Sequence, residues 1–356
     1  MTAETRSSMI ASVLVIGMIL ALFVTLVINP IYGADFYFVF LPIAEDLWLG
    51  NATLYVDTNG YFNPAHAMLY WMLLALPPVS VANAIHFIGT LILLFAIVYL
   101  WQTYTERSIF YAFFALLGLY TIDHLIRGQM DVIAVFGVVL AYWATREEKP
   151  YLLGLGATLA VIKPTSLVLP LLLIAWHIRT WSFADIGKAS LIPILSIVAT
   201  IAIFGFEWIP NLLNLVATGS PVDGLSALSI YDMASVINLP SLIPAVISII
   251  FAIGVLAKPD LSAERFAFAL VANVLASTYV AGYHFVVLIP AILCMRHKWM
   301  VIIAWLLSLL PLLRLVSTDT FDLEYLILLL PMYVASVLLW QMMHETSPES
   351  DNPALV

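Results

Sequence analysis

Charge is scarce in this chain: 10% of its 356 residues are Asp, Glu, Lys or Arg, where a soluble domain carries about 25%. The shortage excludes a soluble globular fold, because 63% of the residues are hydrophobic and the mean hydropathy is +1.05, more apolar surface than a water-facing domain can hide. Cysteine is scarcer still. The lone Cys294 lies inside an apolar run, which rules out a disulfide framework and a thiolate metal cluster. Basic residues are few, 13 against 22 acidic ones for a net charge of −9. In a soluble protein that would repel nucleic acid, but in a membrane bundle the place of each charge means more than the total, and no nucleic-acid partner is expected. Alternating apolar and polar positions, the signature of a membrane β-barrel, are missing as well. The runs are continuous and rich in Leu, Ile, Val and Ala, which leaves the helix as the spanning element. No Asp-x-Asp pair occurs, and neither a metal nor a cofactor is expected.

What the chain has in abundance is apolar runs of spanning length, about 20 residues for roughly 30 Å of hydrocarbon. They lie near 9–31, 81–101, 108–125, 129–145, 188–206, 238–257, 264–281, 283–295, 299–316 and 323–343. The first is longer than a signal-peptide core and no small-residue cleavage site follows it, so it reads as a retained span. Two further stretches differ. Residues 64–78, between Pro64 and Pro77-Pro78, read as a partial helix. Residues 150–178 read as two short halves hinged near Lys163-Pro164, since proline lacks a donor and disfavours helix at the residue before it. The expected fold is an all-α polytopic membrane bundle of about 10–12 transmembrane helices. Residues 1–344 are expected to form one integral membrane domain, and 345–356, with Pro348 and Pro353, a short disordered polar tail.

Placing the charges orients the bundle in a cell membrane. With both termini cytoplasmic, Arg6, Arg107, Arg146, Lys149, Arg179, Lys188, Lys258, Arg265, Arg296 and Lys298 fall inside, ten of the 13 basic residues, as the positive-inside rule requires. The loops 33–63, 121–128, 207–237 and 317–323 fall outside and are acidic. Arg127, Lys163 and Arg314 break the rule. A cation in the outer half of a bundle is costly unless it faces an aqueous cavity or a fixed anion, so these three are candidates for holding an anionic group such as a lipid phosphate. Arg127 and Arg314 also fit a plainer role, snorkelling to the interface or pairing with Asp123 and Asp319.

Other polar residues join them. RGQMD, residues 127–131, opens a span with Arg127, Gln129 and Asp131 on about one turn. YHF places His284 at the start of another, and His66 follows Pro64. Each histidine reads equally as a packing residue, His86 and His124 more so. In the first outer loop, GADFYFVFLPIAEDLWLGNATLY (33–55), Asp35 reads as a plausible cap of the helix that follows. Glu45 and Asp46, on later turns, read as a solvated face.

At this point the order of motifs resembles a known family. A first span followed by GADFYFVF, a helix ending in LWLGNATLY, then YFNPAHAMLYWMLLALPP, RGQMD, LGLGATLAVIKPTSLVLPLLLIAWHIRTW and YHFVVLIPAIL together resemble the bacterial family 87 glycosyltransferases. These are polyprenyl-phosphate-mannose-dependent α-mannosyltransferases of the C-type membrane fold, and the resemblance covers roughly residues 10–300. The chain departs from the pattern at Phe62-Asn63-Pro64, where the family tends to show Tyr-Pro-Pro, and at Asp131, where it tends to show Asn. The resemblance implies an inverting, metal-independent transfer of a hexosyl, by analogy mannosyl, group on the extracytoplasmic side. The donor would be a polyprenyl-phosphate-linked sugar and the acceptor a glycolipid or glycan. Asp35 occupies the position of the general base, with Arg127, Gln129, Lys163, His284, Arg314 and His66 left for donor phosphate and substrate. Two other readings stand beside it: a secondary transporter with Lys163 and His284 lining its pathway, and a non-catalytic protein that binds lipid phosphate.

Overall fold

The computed structural model describes residues 17–31, 33–58, 61, 63–105, 108–163, 167–217, 229–257, 260–277, 280–315 and 325–344. Residues 9–16 of the 9–31 run, Arg6, Phe62, Arg107, Pro164, Lys258, Asp319 and the 345–356 tail lie outside them.

The protein is all-α, with no strand among the described residues. In chain order the helices begin with α1 (Gly17–Ile28), then α2 (Leu41–Trp48), α3 (Ala65–Leu74), α4 (Val79–Thr105), α5 (Ile109–Leu116) and α6 (Leu119–Arg127). There follow α7 (Asp131–Arg146), α8 (Pro150–Ala160), α9 (Val168–Ile178), α10 (Phe183–Phe204), α11 (Trp208–Ala217) and α12 (Ile230–Val236). The last are α13 (Leu242–Leu256), α14 (Ala263–Ala276), α15 (Ile289–Leu293), α16 (Lys298–Ser308) and α17 (Leu329–His344).

Three helical segments among the described residues are long and apolar enough to cross a membrane: α4, α10, and Leu326–His344, which contains α17. The α5–α6 pair makes a fourth if its two halves, bent by 53°, are taken as one span. The run expected to cross unbroken over 108–125 is therefore interrupted, and the break is tolerated because its backbone finds partners. The Tyr120 hydroxyl donates to the Ala115 carbonyl (2.5 Å), the Trp305 indole to that of Leu117 (3.1 Å), and the Ser308 hydroxyl accepts from the Leu119 amide (3.3 Å). Other expected spans are divided around prolines. Pro290 and Pro331 each lie just after a tight 3₁₀ turn, Gly282–Leu288 and Tyr325–Leu328, as the loss of a donor predicts.

Burial distinguishes helices that composition cannot. Only 11% of the apolar window of α10 is buried, against 50% for α4. Leu191, Ile194, Leu195, Ile197 and Val198 of α10 are exposed, the pattern of a lipid-facing helix. By contrast α14 is buried continuously from Phe266 to Leu275.

The described residues cluster into two units. The first is drawn from Met1–Leu93, Leu125–Gln129 and Thr200–Pro221. In it Leu26 of α1 packs on Ala84 and Ile88 of α4. A π-helical turn, Phe36–Phe40, runs into α2 and supplies two rings to an aromatic core. Phe40 stacks on Trp71 at 4.5 Å, and Phe36 meets Trp71 edge-on at 5.7 Å. Beyond α2, the buried Tyr55 hydroxyl donates to the Asn63 carbonyl (2.7 Å); burial pushes its phenol up, which keeps it a neutral donor.

The second unit is drawn from Leu94–His124, Met130–Ala199 and Val222–Val356. Here α7 and α8 meet backbone to backbone: a β-carbon on Gly137 would lie 2.4 Å from the Ala160 nitrogen, the close approach small residues give membrane helices. The 150–178 stretch forms two halves, α8 and α9, with half-buried Lys163 between them. Buried Asn273 of α14 accepts from the Leu169 amide at the start of α9 (2.9 Å), and buried Gln341 donates to the Cys294 carbonyl just after α15 (3.1 Å). Both side chains satisfy backbone groups at helix ends that have no intrahelical partner.

Candidate functional site

The polar residues fall into one group in each unit. In the first unit the chain reverses after α6 at Gly128, whose φ of +68° is the left-handed region that glycine occupies without strain. The turn lies against Gly33. A β-carbon on Gly33 would sit 2.6 Å from the Arg127 carbonyl, and one on Gly128 would sit 2.6 Å from Cβ of Phe36. Two glycines facing each other thus let the GAD and RGQ segments touch. The contact brings Gln129 to Asp35: the Gln129 amide Nε2 donates to Asp35 Oδ2. Gln129 is buried and Asp35 half-buried. Oδ1 accepts no hydrogen bond among the described residues. Asp35 does not cap the helix that follows, because its backbone is already helical and its side chain makes no capping bond. Glu45 and Asp46 are exposed, as expected of a solvated face.

Arg127 is the last residue of α6, and Asp131 opens α7, so RGQMD joins two helices instead of opening one. The Arg127 side chain is exposed, and His66 lies half-buried on α3.

In the second unit the central residue is Asp131, which the sequence marks as a polar residue of RGQMD and as a departure from a family pattern. Its carboxylate is 3% exposed, and neither oxygen accepts a hydrogen bond among the described residues. Its ionisable neighbours include two buried imidazoles, His284 Nε2 at 3.5 Å from Oδ1 and His124 Nδ1 at 4.0 Å from Oδ2. The His284 Nδ1 accepts from the Ala281 amide (2.9 Å). A neutral ring bonded in that way carries its proton on Nε2, facing Asp131. Lys163 lies within electrostatic reach of the same ring. Arg314 falls in the 3₁₀ turn Leu310–Leu315, its side chain outside the described residues. Asp131 could have been found from its own spacing, two residues beyond Gln129. Its partners could not, since His284 is 153 residues further on (284 − 131).

Among the described residues no group of three His, Cys, Asp or Glu is arranged to hold a metal ion. What the first group can do is accept a proton at a carboxylate fixed by a neutral donor; what the second can do is hold an imidazole in one tautomer.

No curated protein and no solved structure matches the chain. A family profile does: residues 61–289, more than half of the chain, match glycosyltransferase family 87. The match takes in RGQMD, the break at Lys163 and YHF, while Asp35 precedes it. On that match over so much of its length, the chain belongs to glycosyltransferase family 87.

Proposed function

We propose that this glycosyltransferase moves a hexosyl group, by resemblance mannosyl, from a polyprenyl-phosphate-linked sugar to a glycolipid or glycan acceptor, with inversion and without a metal. Asp35 is the general base. It takes the proton of the acceptor hydroxyl as that oxygen attacks the anomeric carbon, while the bond to the phosphate oxygen breaks and the polyprenyl phosphate leaves. The observation that carries this reading is the hydrogen bond from Gln129 to Asp35. It fixes one carboxylate oxygen and leaves the other, on a half-exposed side chain, to face an acceptor. Arg127, Lys163 and Arg314, the cations that charge placement sets apart, would neutralise the departing phosphate, with His66 and His284 contacting substrate.

The reaction is placed on the extracytoplasmic side of the cell membrane, which the charge distribution supports. A cysteine at exposed Asn51 is expected to react with a membrane-impermeant thiol reagent from outside intact cells. Cys294, the lone native thiol, is buried and adds little background. Labelling from the cytoplasmic face alone would reverse the orientation.

The chemistry is tested in reconstituted protein with a labelled polyprenyl-phosphate-mannose donor. Asp35→Asn is expected to lower kcat by about 10²-fold or more, the usual contribution of a general base, with donor binding retained. Undiminished transfer would remove Asp35 from the chemistry, and no transfer by the unaltered protein with any polyprenyl-phosphate sugar would remove the donor class.

A further inference from the structure

We infer that His86 is a positioning residue that sets the geometry of the Asp35–Gln129 pair, an inference that rests on reading Asp35 as the base. His86 lies on α4 and is 4% exposed. Its ring touches both sides of that pair. The backbone of Gly128 and Gln129 lies within hydrogen-bonding reach of it, and its face stacks on Phe36, the residue after Asp35, with centroids 5.4 Å apart and planes at 30°. Its Nδ1 is bonded to the Tyr70 hydroxyl at 2.7 Å. A neutral ring that accepts from Tyr70 at Nδ1 carries its proton on Nε2, the tautomer that suits a backbone carbonyl.

The same helix holds the other segment too. Asn83, three residues earlier on α4, donates from its side-chain amide to the Ile31 carbonyl (2.8 Å), just ahead of Gly33. Asn83 and His86 lie on one face of the helix at that spacing. Their side chains therefore fasten the two backbone segments that the facing glycines allow to meet. An apolar residue would fill the space of His86 among Phe36, Tyr70 and Trp71, but it would offer the turn at 128–129 no hydrogen bond and would strand the Tyr70 hydroxyl. The chain of contacts runs from Tyr70 through His86 to the Gln129 backbone, and from the Gln129 amide to Asp35.

The test uses the full-length protein in liposomes with a polyprenyl-phosphate-mannose donor, reading kcat and donor KM separately and checking the fold by thermal unfolding. His86→Leu is expected to lower kcat by about 10- to 100-fold, the effect of a small misplacement of a reacting group, with donor KM unchanged. His86→Gln, which keeps a donor near the Nε2 position, is expected to recover most of the loss. Tyr70→Phe removes only a hydroxyl and is expected to lower kcat about fivefold, the scale of one neutral hydrogen bond; it remains readable if His86→Leu does not fold. On a Gln129→Ala background, His86→Leu is expected to cost nothing further, because the link it acts through is already gone. The proposal is overturned if His86→Leu and Tyr70→Phe both leave kcat intact, if Gln restores no more than Leu, or if the His86 and Gln129 effects multiply. A loss confined to His86→Leu with no effect of Asp35→Asn would instead overturn the base assignment.

Discussion

Asp35 and Asp131 carry the same functional group in contrasting surroundings. Asp35 is half-buried and accepts a hydrogen bond from a neutral amide. Asp131 is 3% exposed, accepts none among the described residues, and faces two imidazoles across 3.5 and 4.0 Å. A carboxylate removed from water is costly unless it is paired and hydrogen-bonded. Asp131 therefore depends on its histidines, and its Oδ1 faces the Nε2 of His284. Among the described residues Asp35 is paired with no cation, and its one side-chain partner, the Gln129 amide, is neutral. On the proposed reading, proton transfer falls to the half-buried member and positioning to the buried one.

The comparison can be broken most severely at Gly33. A methyl group there would press within 2.6 Å of the Arg127 carbonyl, so the two segments must separate and Asp35 must leave Gln129. Gly33→Ala is expected to lower kcat by about 10²-fold; activity near that of the unaltered protein would show that the contact is dispensable. Lys163→Ala comes next. Loss of one charge-assisted contact is expected to raise the donor Kd about tenfold or more, and an unchanged donor affinity in a binding titration would take Lys163 out of phosphate recognition. Asp131→Asn should act least on chemistry, since an amide oxygen can still face His284 Nε2. It is expected to change kcat by less than about fivefold and to raise the unfolding midpoint by a few degrees, about the yield of removing a poorly compensated buried charge.

How far the sequence discloses this molecule depends on what kind of interaction is concerned. The helical membrane class follows from composition, and the run 81–101 stands in the structure as α4, Val79–Thr105. The halves around Lys163 follow from proline chemistry, and the exposed Glu45 and Asp46 from their place on a short helix after a turn. The division of α10 from α14 does not follow, because residues that face lipid and residues that face the core are both apolar, so the amphipathic signal that orients a soluble helix is lost. Buried Asn273 and Gln341 look anomalous in the sequence because the helix ends they satisfy lie 104 and 47 residues away. Asp35 stands out by position, yet its partner Gln129, 94 residues on, is brought to it by the facing glycines. His86 is hidden for the same reason: its role lies in backbone groups that no motif records.

The most direct test of the account is kcat for Asp35→Asn and Asp131→Asn measured side by side in the same liposomes, with the same labelled donor. The prediction is a loss of about 10²-fold or more for Asp35→Asn and a loss below about fivefold for Asp131→Asn. A larger loss at Asp131 than at Asp35 would contradict it.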